Sequence, residues 1–271
     1  MELAIYIVDA FTKQRFKGNA AAVVPVQDWL APEVMQNIAV ENNLSETAFI
    51  RALSANQYEI RWFSPLTEID FCGHATLAAS FAIFQYLGGR GEIEFVTREV
   101  GSLFVKQHSD GRIEMSFPNQ CPDLLEQDEI PDALLAGLSV TPMQVLKNRQ
   151  AYFAVMASEH DVKGLSYISE QLKQLAPFDV VVTAKASAST NTDEYDFISR
   201  YFWPANGGDE DPVTGSIHAG LSPYWAKQLA KTELVAYQAS ARGGILYCKI
   251  SNDRVLVSGF AVLYLKGTVY I

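Results

Sequence analysis

The chain has 271 residues, of which 49% are hydrophobic and 19% are charged, a composition typical of a folded globular protein. A chain of this length can form its own core without disulfide bonds or a structural metal. The formal net charge is −10 and no run of lysine or arginine occurs, which argues against binding to nucleic acid or to an anionic membrane surface.

The three cysteines, Cys72, Cys121 and Cys248, are widely spaced and form no CxxC pair. This odd number argues against a disulfide framework or a cysteine-rich zinc site, and it fits a reducing compartment. The N-terminus has an acidic residue where a signal peptide has positive charge, and no apolar stretch of about 18 residues occurs. We therefore expect a cytoplasmic protein that neither crosses nor binds a membrane.

The predicted elements occur in two copies along the chain. The first copy has an alternating strand at 58–65, an acidic stretch and Gly/His turn at 68–75, an apolar helix marked by Leu77, Phe81, Phe84 and Leu87, and strands at 94–106 and 112–117. The second copy has the same elements at 195–204, 209–219, 221–229, 233–249 and 254–260. The alternative is that two unrelated strand–helix–hairpin units follow each other.

Matched residues favour a true repeat over that alternative. Pro204, Gly215 and Gly244 follow Pro65, Gly73 and Gly101 at the nearly constant offsets of 139, 142 and 143 residues. Two such halves predict an α+β fold of two pseudo-symmetric lobes, and the cleft between lobes is the expected ligand site. The two equivalent helix starts would each expose unpaired N–H groups, so we expect them to bind one anionic ligand together.

Glu46 is the first candidate for acid/base chemistry. It lies in Asn42–Phe49 and is followed by small and apolar residues, so partial desolvation would make its carboxylate a usable acid or base. The alternative is an ordinary turn between a helix and a strand, in which Ser45 and Thr47 only satisfy backbone groups.

Three further polar residues lie beside the two turns. His74 follows Gly73 and is either a neutral site histidine or a packed, capping one. Asp211 precedes Pro212 and is typical of a turn or N-cap residue as much as of a catalytic one. His218 lies in the first turn of its helix and is expected to pack inside its own lobe.

A metal site is the main competing hypothesis, since Cys72, His74, Asp211 and His218 could converge. No HxxxH or HExxH spacing supports it. Ser216 has no GxSxG elbow, and the chain has neither a Walker A sequence nor a GxGxxG fingerprint. We therefore expect no metal and no nucleotide, flavin or pyridoxal cofactor.

Five motifs together resemble the phenazine-biosynthesis PhzF-like family over nearly the whole chain: residues 18–24 (GNAAAVV), 44–49 (LSETAF), 61–65 (RWFSP), 70–76 (DFCGHAT) and 210–218 (EDPVTGSIH). The resemblance implies the diaminopimelate epimerase-like fold, with each lobe a mixed β-sheet wrapped around a central helix. The N-terminal lobe is then expected to span 1–117, completed by the strand-like 261–271, and the C-terminal lobe 118–260.

The resemblance also implies an activity. The founding reaction of the family is a cofactor-free proton shift that isomerises dihydro-3-hydroxyanthranilate. By position, Glu46 matches the glutamate that moves the proton, and His74 and Asp211 match polar site residues. The expected substrate-binding residues are Asn19, Gly73, Gly215 and Ser216. The expected partners are a small cyclic or amino-acid-like carboxylate and a second copy of the chain in a homodimer.

Two departures from the family pattern bear on mechanism. Epimerases of this fold use one cysteine per half as opposed bases, but Thr214 stands where a second cysteine would accompany Cys72. Ala20 stands where the family more often has proline. A racemase or epimerase with opposed carboxylate and histidine bases, or a non-catalytic binder of anionic ligands, remain the alternatives.

Overall fold

The computed structural model describes residues 1–187 and 195–271. They form two compact units, the first of Met1–Ser116 with Ser258–Ile271 and the second of Phe117–Val257. Both units combine strands and helices, which confirms the predicted α+β class. None of the helices in the described residues is long and apolar enough to cross a membrane.

The strands are numbered along the chain. From the N-terminus to residue 118 they are β1 (Glu2–Ala10), β2 (Asn19–Val26), β3 (Glu46–Ala52), β4 (Gln57–Phe63), β5 (Glu68–Ile69), β6 (Glu92–Val96), β7 (Ser102–Gln107) and β8 (Ile113–Pro118). Those that follow are β9 (Asp123–Leu124), β10 (Gln144–Lys147), β11 (Ala151–Val155), β12 (Asp179–Lys185), β13 (Phe197–Phe202), β14 (Glu210–Asp211), β15 (Glu233–Gln238), β16 (Gly244–Ser251), β17 (Arg254–Gly259) and β18 (Ala261–Tyr270).

The α-helices are α1 (Pro32–Asn42), α2 (Gly73–Ala82), α3 (Asp132–Gly137), α4 (Glu159–Gly164), α5 (Ser169–Leu172) and α6 (His218–Leu229). A single π-helical turn, Ile83–Leu87, continues α2. Short 3₁₀ turns occur at Gln127–Glu129, Lys173–Leu175 and Pro204–Asn206.

The strand pairings of the two units follow one pattern. In the first unit, β2 and β3 are parallel, β3 and β4 antiparallel, and β4 pairs antiparallel with β5 and parallel with β6. In the second unit, β11 and β12 are parallel, β12 and β13 antiparallel, and β13 pairs antiparallel with β14 and parallel with β15. The matched pairings of β4 with β5 and β6, and of β13 with β14 and β15, support the repeat predicted from the sequence. The matched pairings of β2 with β3 and of β11 with β12 extend the repeat to residues that the sequence comparison did not include.

The chain end belongs to the first unit. β18 pairs antiparallel with β1 along the whole length of that strand, from Glu2 opposite Tyr270 to Ala10 opposite Ala261. β1 in turn pairs antiparallel with β2, whose first residue is Asn19. The pairing of β1 thus connects the C-terminal strand to the strand that carries a candidate site residue.

Helix α2 is the buried helix of the first unit. Nine of its ten residues are buried, and it packs against β1, β2, β3 and β18. The predicted apolar stripe is wrong in detail, because Phe81 and Phe84 are only half-buried and Leu87 is exposed. The four alanines of α2, at positions 75, 78, 79 and 82, share one face of the helix, and Thr76, Leu77 and Ser80 on the other sides are buried as well, so burial is not confined to one stripe.

Two matched ion pairs brace the strands that lead into the candidate site turns. Arg61 in β4 makes two 2.6 Å hydrogen bonds to Glu68 in β5, and its own side chain is 3% exposed. Arg200 in β13 makes the same bidentate pair with Glu210 in β14, at 2.7 and 2.9 Å. Bidentate guanidinium–carboxylate pairs fix the relative position of two strands more firmly than a single contact does.

Candidate active site

Glu46 is the first residue of β3. Helix α1 ends at Asn42, and Asn43 takes a left-handed conformation with φ 46° that turns the chain toward the strand. Because residues alternate along a strand, the side chain of Glu46 lies on the face of the sheet opposite Phe49, which packs with α1. The Glu46 side chain is 12% exposed.

His74 is the second residue of α2 and its ring is buried. Its Nε2 atom lies 2.8 Å from Oε2 of Glu46. The two groups are close enough to form an ion pair, but they are not aligned as a hydrogen bond. The buried Oε2 therefore has no aligned donor within residues 1–187 and 195–271. A carboxylate held 2.8 Å from a group that can carry a proton is within reach for exchanging one.

Asn19 and Ser45 orient the imidazole of His74. The Ser45 hydroxyl donates to Oδ1 of Asn19 at 3.2 Å, and Nδ2 of Asn19 lies 3.1 Å from Nδ1 of His74. With Oδ1 accepting from Ser45, the amide of Asn19 donates to Nδ1, so a neutral imidazole carries its proton on Nε2. Nε2 is the ring atom that lies 2.8 Å from Oε2 of Glu46.

Cys72 is the third polar group of this cluster, with its Sγ 3.4 Å from Nδ1 of His74. Burial, followed by the charge of Glu46, raises the pKa of the Cys72 thiol to about 11. Burial lowers the pKa of His74, but Cys72 and Glu46 outweigh it and hold that pKa well above its usual range. The imidazolium and the neutral form both carry a proton on Nε2, but only the neutral form can accept the hydrogen bond from Asn19 at Nδ1.

The side-chain donors of Glu46, Cys72 and His74 lie within 4.8 Å of one another, the sole such trio of possible metal ligands in the described part of the chain. Asp211 and His218, considered from the sequence as further ligands, are not part of it. A thiol must lose its proton to bind a metal, and a pKa of about 11 opposes this for Cys72.

Asp211 lies at the end of β14, in a turn held by one buried side chain. The Thr214 hydroxyl donates to Oδ2 of Asp211. Gln238, which has no exposed surface, accepts from the Thr214 N–H at 2.9 Å and donates to the Asp211 carbonyl at 2.9 Å. Gln238 thereby fixes the backbone that presents both Asp211 and Thr214.

Gly215 and Ser216 follow in the turn that opens α6, and that helix has no side-chain N-cap. The Ser216 Oγ accepts a hydrogen bond of 3.0 Å from Nε2 of Gln150. Gly73 has the corresponding place at the start of α2, which also lacks a side-chain N-cap. Neither helix start has a capping side chain, and in α6 the first N–H groups, those of residues 218 to 220, donate to the backbone carbonyls of residues 215 to 217.

His218 is fully buried, as the sequence predicts. Its Nδ1 donates to the Thr214 carbonyl at 2.8 Å, and its ring lies against that of Phe197. Nε2 has no partner within the described residues. Burial lowers the pKa of His218 to about 4, so this histidine is neutral and structural at pH 7.

The structure brings the predicted residues together in two groups. Asn19, Glu46, Gly73 and His74 meet in the first unit, and Asp211, Gly215 and Ser216 lie in one turn region of the second. Sequence reasoning missed the residues that hold them, chiefly Ser45, Gln150 and Gln238. Gln150 and Gln238 are 66 and 24 residues from the groups they bind, and no local pattern marks them.

A family model described as phenazine biosynthesis-like protein matches residues 8–267. The chain is 43% identical over 272 residues to an uncharacterized isomerase of Pseudomonas aeruginosa, covering 100% of both chains. It is 43% identical over 269 residues to an uncharacterized isomerase of Halalkalibacterium halodurans, covering 98% of each. The crystal structure of a PhzF family protein from Enterococcus faecalis superposes with a TM-score of 0.92 at 41% identity, covering 100% of both chains.

The fold extends to more distant proteins. A hydroxyproline epimerase from Agrobacterium vitis superposes with a TM-score of 0.57 at 9% identity, over 99% of this chain and 92% of that one. At this identity the similarity shows a shared fold and nothing about substrate. With the match of the family model and the close relatives, however, the resemblance seen in the five motifs is confirmed: the chain belongs to the phenazine biosynthesis-like family of PhzF proteins.

Proposed function

We propose that this protein is a cofactor-independent isomerase that moves a proton on a small cyclic or amino-acid-like carboxylate, with Glu46 as the general acid/base. The contact of 2.8 Å between Glu46 and His74 is the observation that carries the proposal. The close bacterial relatives named isomerases support the reaction class.

Glu46 has the properties that proton transfer to and from carbon requires. Its side chain is mostly shielded from water, and its Oε2 lies 2.8 Å from Nε2 of His74. Such a carboxylate can take a proton from one carbon and return it to another, while His74 stabilises the charged form. Asn19 keeps the imidazole in the orientation that this requires.

The start of the buried helix in each unit has a charge that favours a carboxylate. The N-termini of α2 and α6 carry partial positive charge and have no side-chain N-cap. Gly73 and Gly215 add no side chain at these positions, so a ligand oxygen can approach the backbone. Asp211, held by Gln238, and Ser216 are the polar side chains of the second unit in this proposal.

We also propose that the protein is cytoplasmic and forms a homodimer. Exposed apolar side chains near the chain end, Tyr264, Leu265 and Tyr270 of β18, support association with a second copy. Light scattering of the purified protein tests the dimer, and a mass of one chain at micromolar concentration would contradict it.

Deuterium exchange tests the proposed reaction. The protein is incubated in D2O with dihydro-3-hydroxyanthranilate, L-proline and trans-4-hydroxy-L-proline, and deuterium in each acid is followed by NMR. We expect exchange in at least one acid, and a loss of about a hundredfold or more in Glu46→Gln, because general acid/base catalysis contributes about that much. Isomerisation moves the double bond, whereas racemisation inverts the carbon, so the product distinguishes the two classes.

A matched variant separates the role of Glu46 from a general loss of charge. Glu41→Gln removes an exposed carboxylate of α1 and is expected to exchange at the wild-type rate. Exchange by Glu46→Gln at the wild-type rate would exclude Glu46 as the acid/base. Ligand-induced thermal shifts without any exchange or product would favour a non-catalytic binding protein.

A further inference from the structure

Four side chains of the second unit form a continuous hydrogen-bonded chain. Tyr201 OH donates to Oδ2 of Asp179 at 2.5 Å, and Nε2 of Gln150 donates to Tyr201 OH at 3.1 Å. The same Nε2 donates to Oγ of Ser216 at 3.0 Å. These residues come from β12, β13, the loop before β11 and the turn before α6, so only the tertiary fold assembles them.

The direction of every hydrogen bond in this chain is set by its far end. An ionised carboxylate only accepts, so the phenol of Tyr201 donates to Asp179 and its oxygen must accept from the next residue. Only the NH2 side of the Gln150 amide can donate there, which fixes the amide orientation. The second hydrogen of that NH2 group reaches Ser216.

Ser216 is therefore left with a defined role. Its oxygen accepts from Gln150, so its own hydrogen is free to point elsewhere as a donor. A hydroxyl held in this way offers a hydrogen bond to an anionic oxygen.

Burial determines the protonation of the tyrosine and the carboxylate in this row of hydrogen bonds. Tyr201 is 4% exposed, and burial together with the negative charge of Asp179 holds the pKa of Tyr201 well above its usual range, so the phenol keeps its proton. Burial raises the pKa of Asp179 above its ordinary value, and hydrogen bonds from Tyr201 and Asn206 to the carboxylate limit that rise. Asn206 donates to the other carboxylate oxygen, Oδ1, at 2.7 Å.

The position of Asp179 in the repeat is that of Glu46. Asp179 and Glu46 are the first residues of β12 and β3, and the residue after each pairs with a phenylalanine, Phe202 in β13 and Phe63 in β4. In the first unit the carboxylate is next to the histidine that follows Gly73. In the second unit the side chains of Tyr201 and Gln150 separate the carboxylate from Ser216, which follows Gly215. The second unit therefore presents a hydrogen-bond donor at the place where the first unit has a histidine that can carry a proton.

We infer that Asp179, Tyr201 and Gln150 are positioning residues that hold the Ser216 hydroxyl as a hydrogen-bond donor to an anionic oxygen of the substrate. This role rests on the proposed function, because that function places Ser216 against a carboxylate ligand. Asp179 acts through two intervening side chains and does not touch the ligand.

The substitution Asp179→Asn should reverse the chain. The new amide would keep its oxygen toward Asn206 and donate to Tyr201, whose hydrogen would then go to Oε1 of a turned Gln150 amide. That oxygen also faces Ser216 and would bind its hydroxyl hydrogen. The Ser216 hydroxyl would then no longer be available as a donor to the ligand, although Asp179 is the only one of the four hydrogen-bonded side chains that has been replaced.

A double-mutant cycle on ligand affinity tests this inference. The dissociation constant of 3-hydroxyanthranilate is measured by calorimetry for wild type, Asp179→Asn, Ser216→Ala and the double variant. We expect each single change to weaken binding about tenfold, the value of a hydrogen bond to a charged group. The double variant should bind no more weakly than Ser216→Ala, because both changes remove the same donor.

Two controls keep the outcome specific. Asp132→Asn changes an exposed aspartate of α3 and should leave affinity unchanged, and 2-aminophenol, which has no carboxylate, should not distinguish the variants. If Asp179→Asn does not fold, Tyr201→Phe breaks the same chain and should weaken acid binding in the same direction.

Each of three results would overturn the inference. The first is wild-type affinity in a folded Asp179→Asn variant, the second is effects that multiply in the double variant, and the third is no saturable binding of 3-hydroxyanthranilate to wild type. Glu46→Gln is titrated alongside and should bind the acid normally. Its exchange rate therefore decides the proposed reaction independently of the binding result.

Discussion

Cys72 and Thr214 occupy equivalent places in the two units: the backbone carbonyl of each accepts a hydrogen bond from the side chain four residues later. The Thr76 hydroxyl donates to the Cys72 carbonyl at 2.6 Å, and Nδ1 of His218 donates to the Thr214 carbonyl at 2.8 Å. The second turn therefore presents a hydroxyl where the first presents a thiol. A hydroxyl of threonine is far too weak an acid to serve as an opposed base, so a mechanism with two thiols is not available to this chain.

Cys72→Ser should leave most of the activity intact. Burial raises the pKa of the thiol to about 11, so it is protonated near neutral pH and does not act as the base. We expect less than a tenfold change in kcat and an unchanged pH profile, measured on whichever acid exchanges deuterium. A loss of the size expected for Glu46→Gln would instead assign the proton transfer to the thiol.

His218 should make the protein less stable in acid. Burial lowers its pKa to about 4 in the folded state, whereas the unfolded value is about 6.5. Because the unfolded state takes up the proton first, the contribution is fully present above about pH 6.5 and is lost as pH falls toward 4. This amounts to roughly 3 kcal/mol.

Urea unfolding of wild type and His218→Asn between pH 7 and pH 4 measures that contribution. The variant is expected to be less stable at pH 7 but to lose less stability on acidification. Parallel pH curves for the two proteins would contradict the assignment.

Arg61→Lys should destabilise the first unit by about 2 kcal/mol, because a buried guanidinium is replaced by a group that cannot pair with Glu68 through two parallel bonds. Lys173→Ala, in an exposed pair with Glu170, should change stability by less than about 0.5 kcal/mol. Thermal and urea unfolding compare the two variants. Equal effects would show that the Arg61 pair gains nothing from its burial.

Gln238→Leu should affect both stability and substrate binding. The change leaves the Thr214 N–H without its acceptor, at a cost of about 1–3 kcal/mol, and releases the backbone that presents Asp211. We expect a lower Tm and a higher KM. A lower Tm with unchanged KM would mean that the turn does not contact the substrate.

Dialysis against a chelator should change neither the Tm nor the activity. Glu46, Cys72 and His74 are close enough to hold a metal, but the protonated thiol opposes it. Activity that is lost on dialysis and restored by zinc would overturn the proposed metal-free chemistry.

Much of the architecture follows from the sequence alone because the chain repeats itself. The offsets of matched prolines and glycines predict two α+β halves, and the same match appears where β4 pairs with β5 and β6 as β13 pairs with β14 and β15. The apolar stripe predicted for α2 is wrong because helical spacing assumes one buried face. The alanines of α2 lie on one face, but Thr76, Leu77 and Ser80 on its other sides are buried too, and an apolar periodicity does not predict burial all round.

The sequence by itself determined the family and the repeat, and it singled out Glu46 and His74 as candidate site residues, since each of these depends on short motifs that can be recognised along the chain. Only the tertiary structure decided which distant side chains form hydrogen bonds with the candidate site residues. Asn19 and His74 are 55 residues apart, and Gln150 is 51 residues from Tyr201 and 66 from Ser216. A hydrogen bond needs its donor and acceptor within about 3 Å, and strand pairing and helix packing bring such distant residues to that distance.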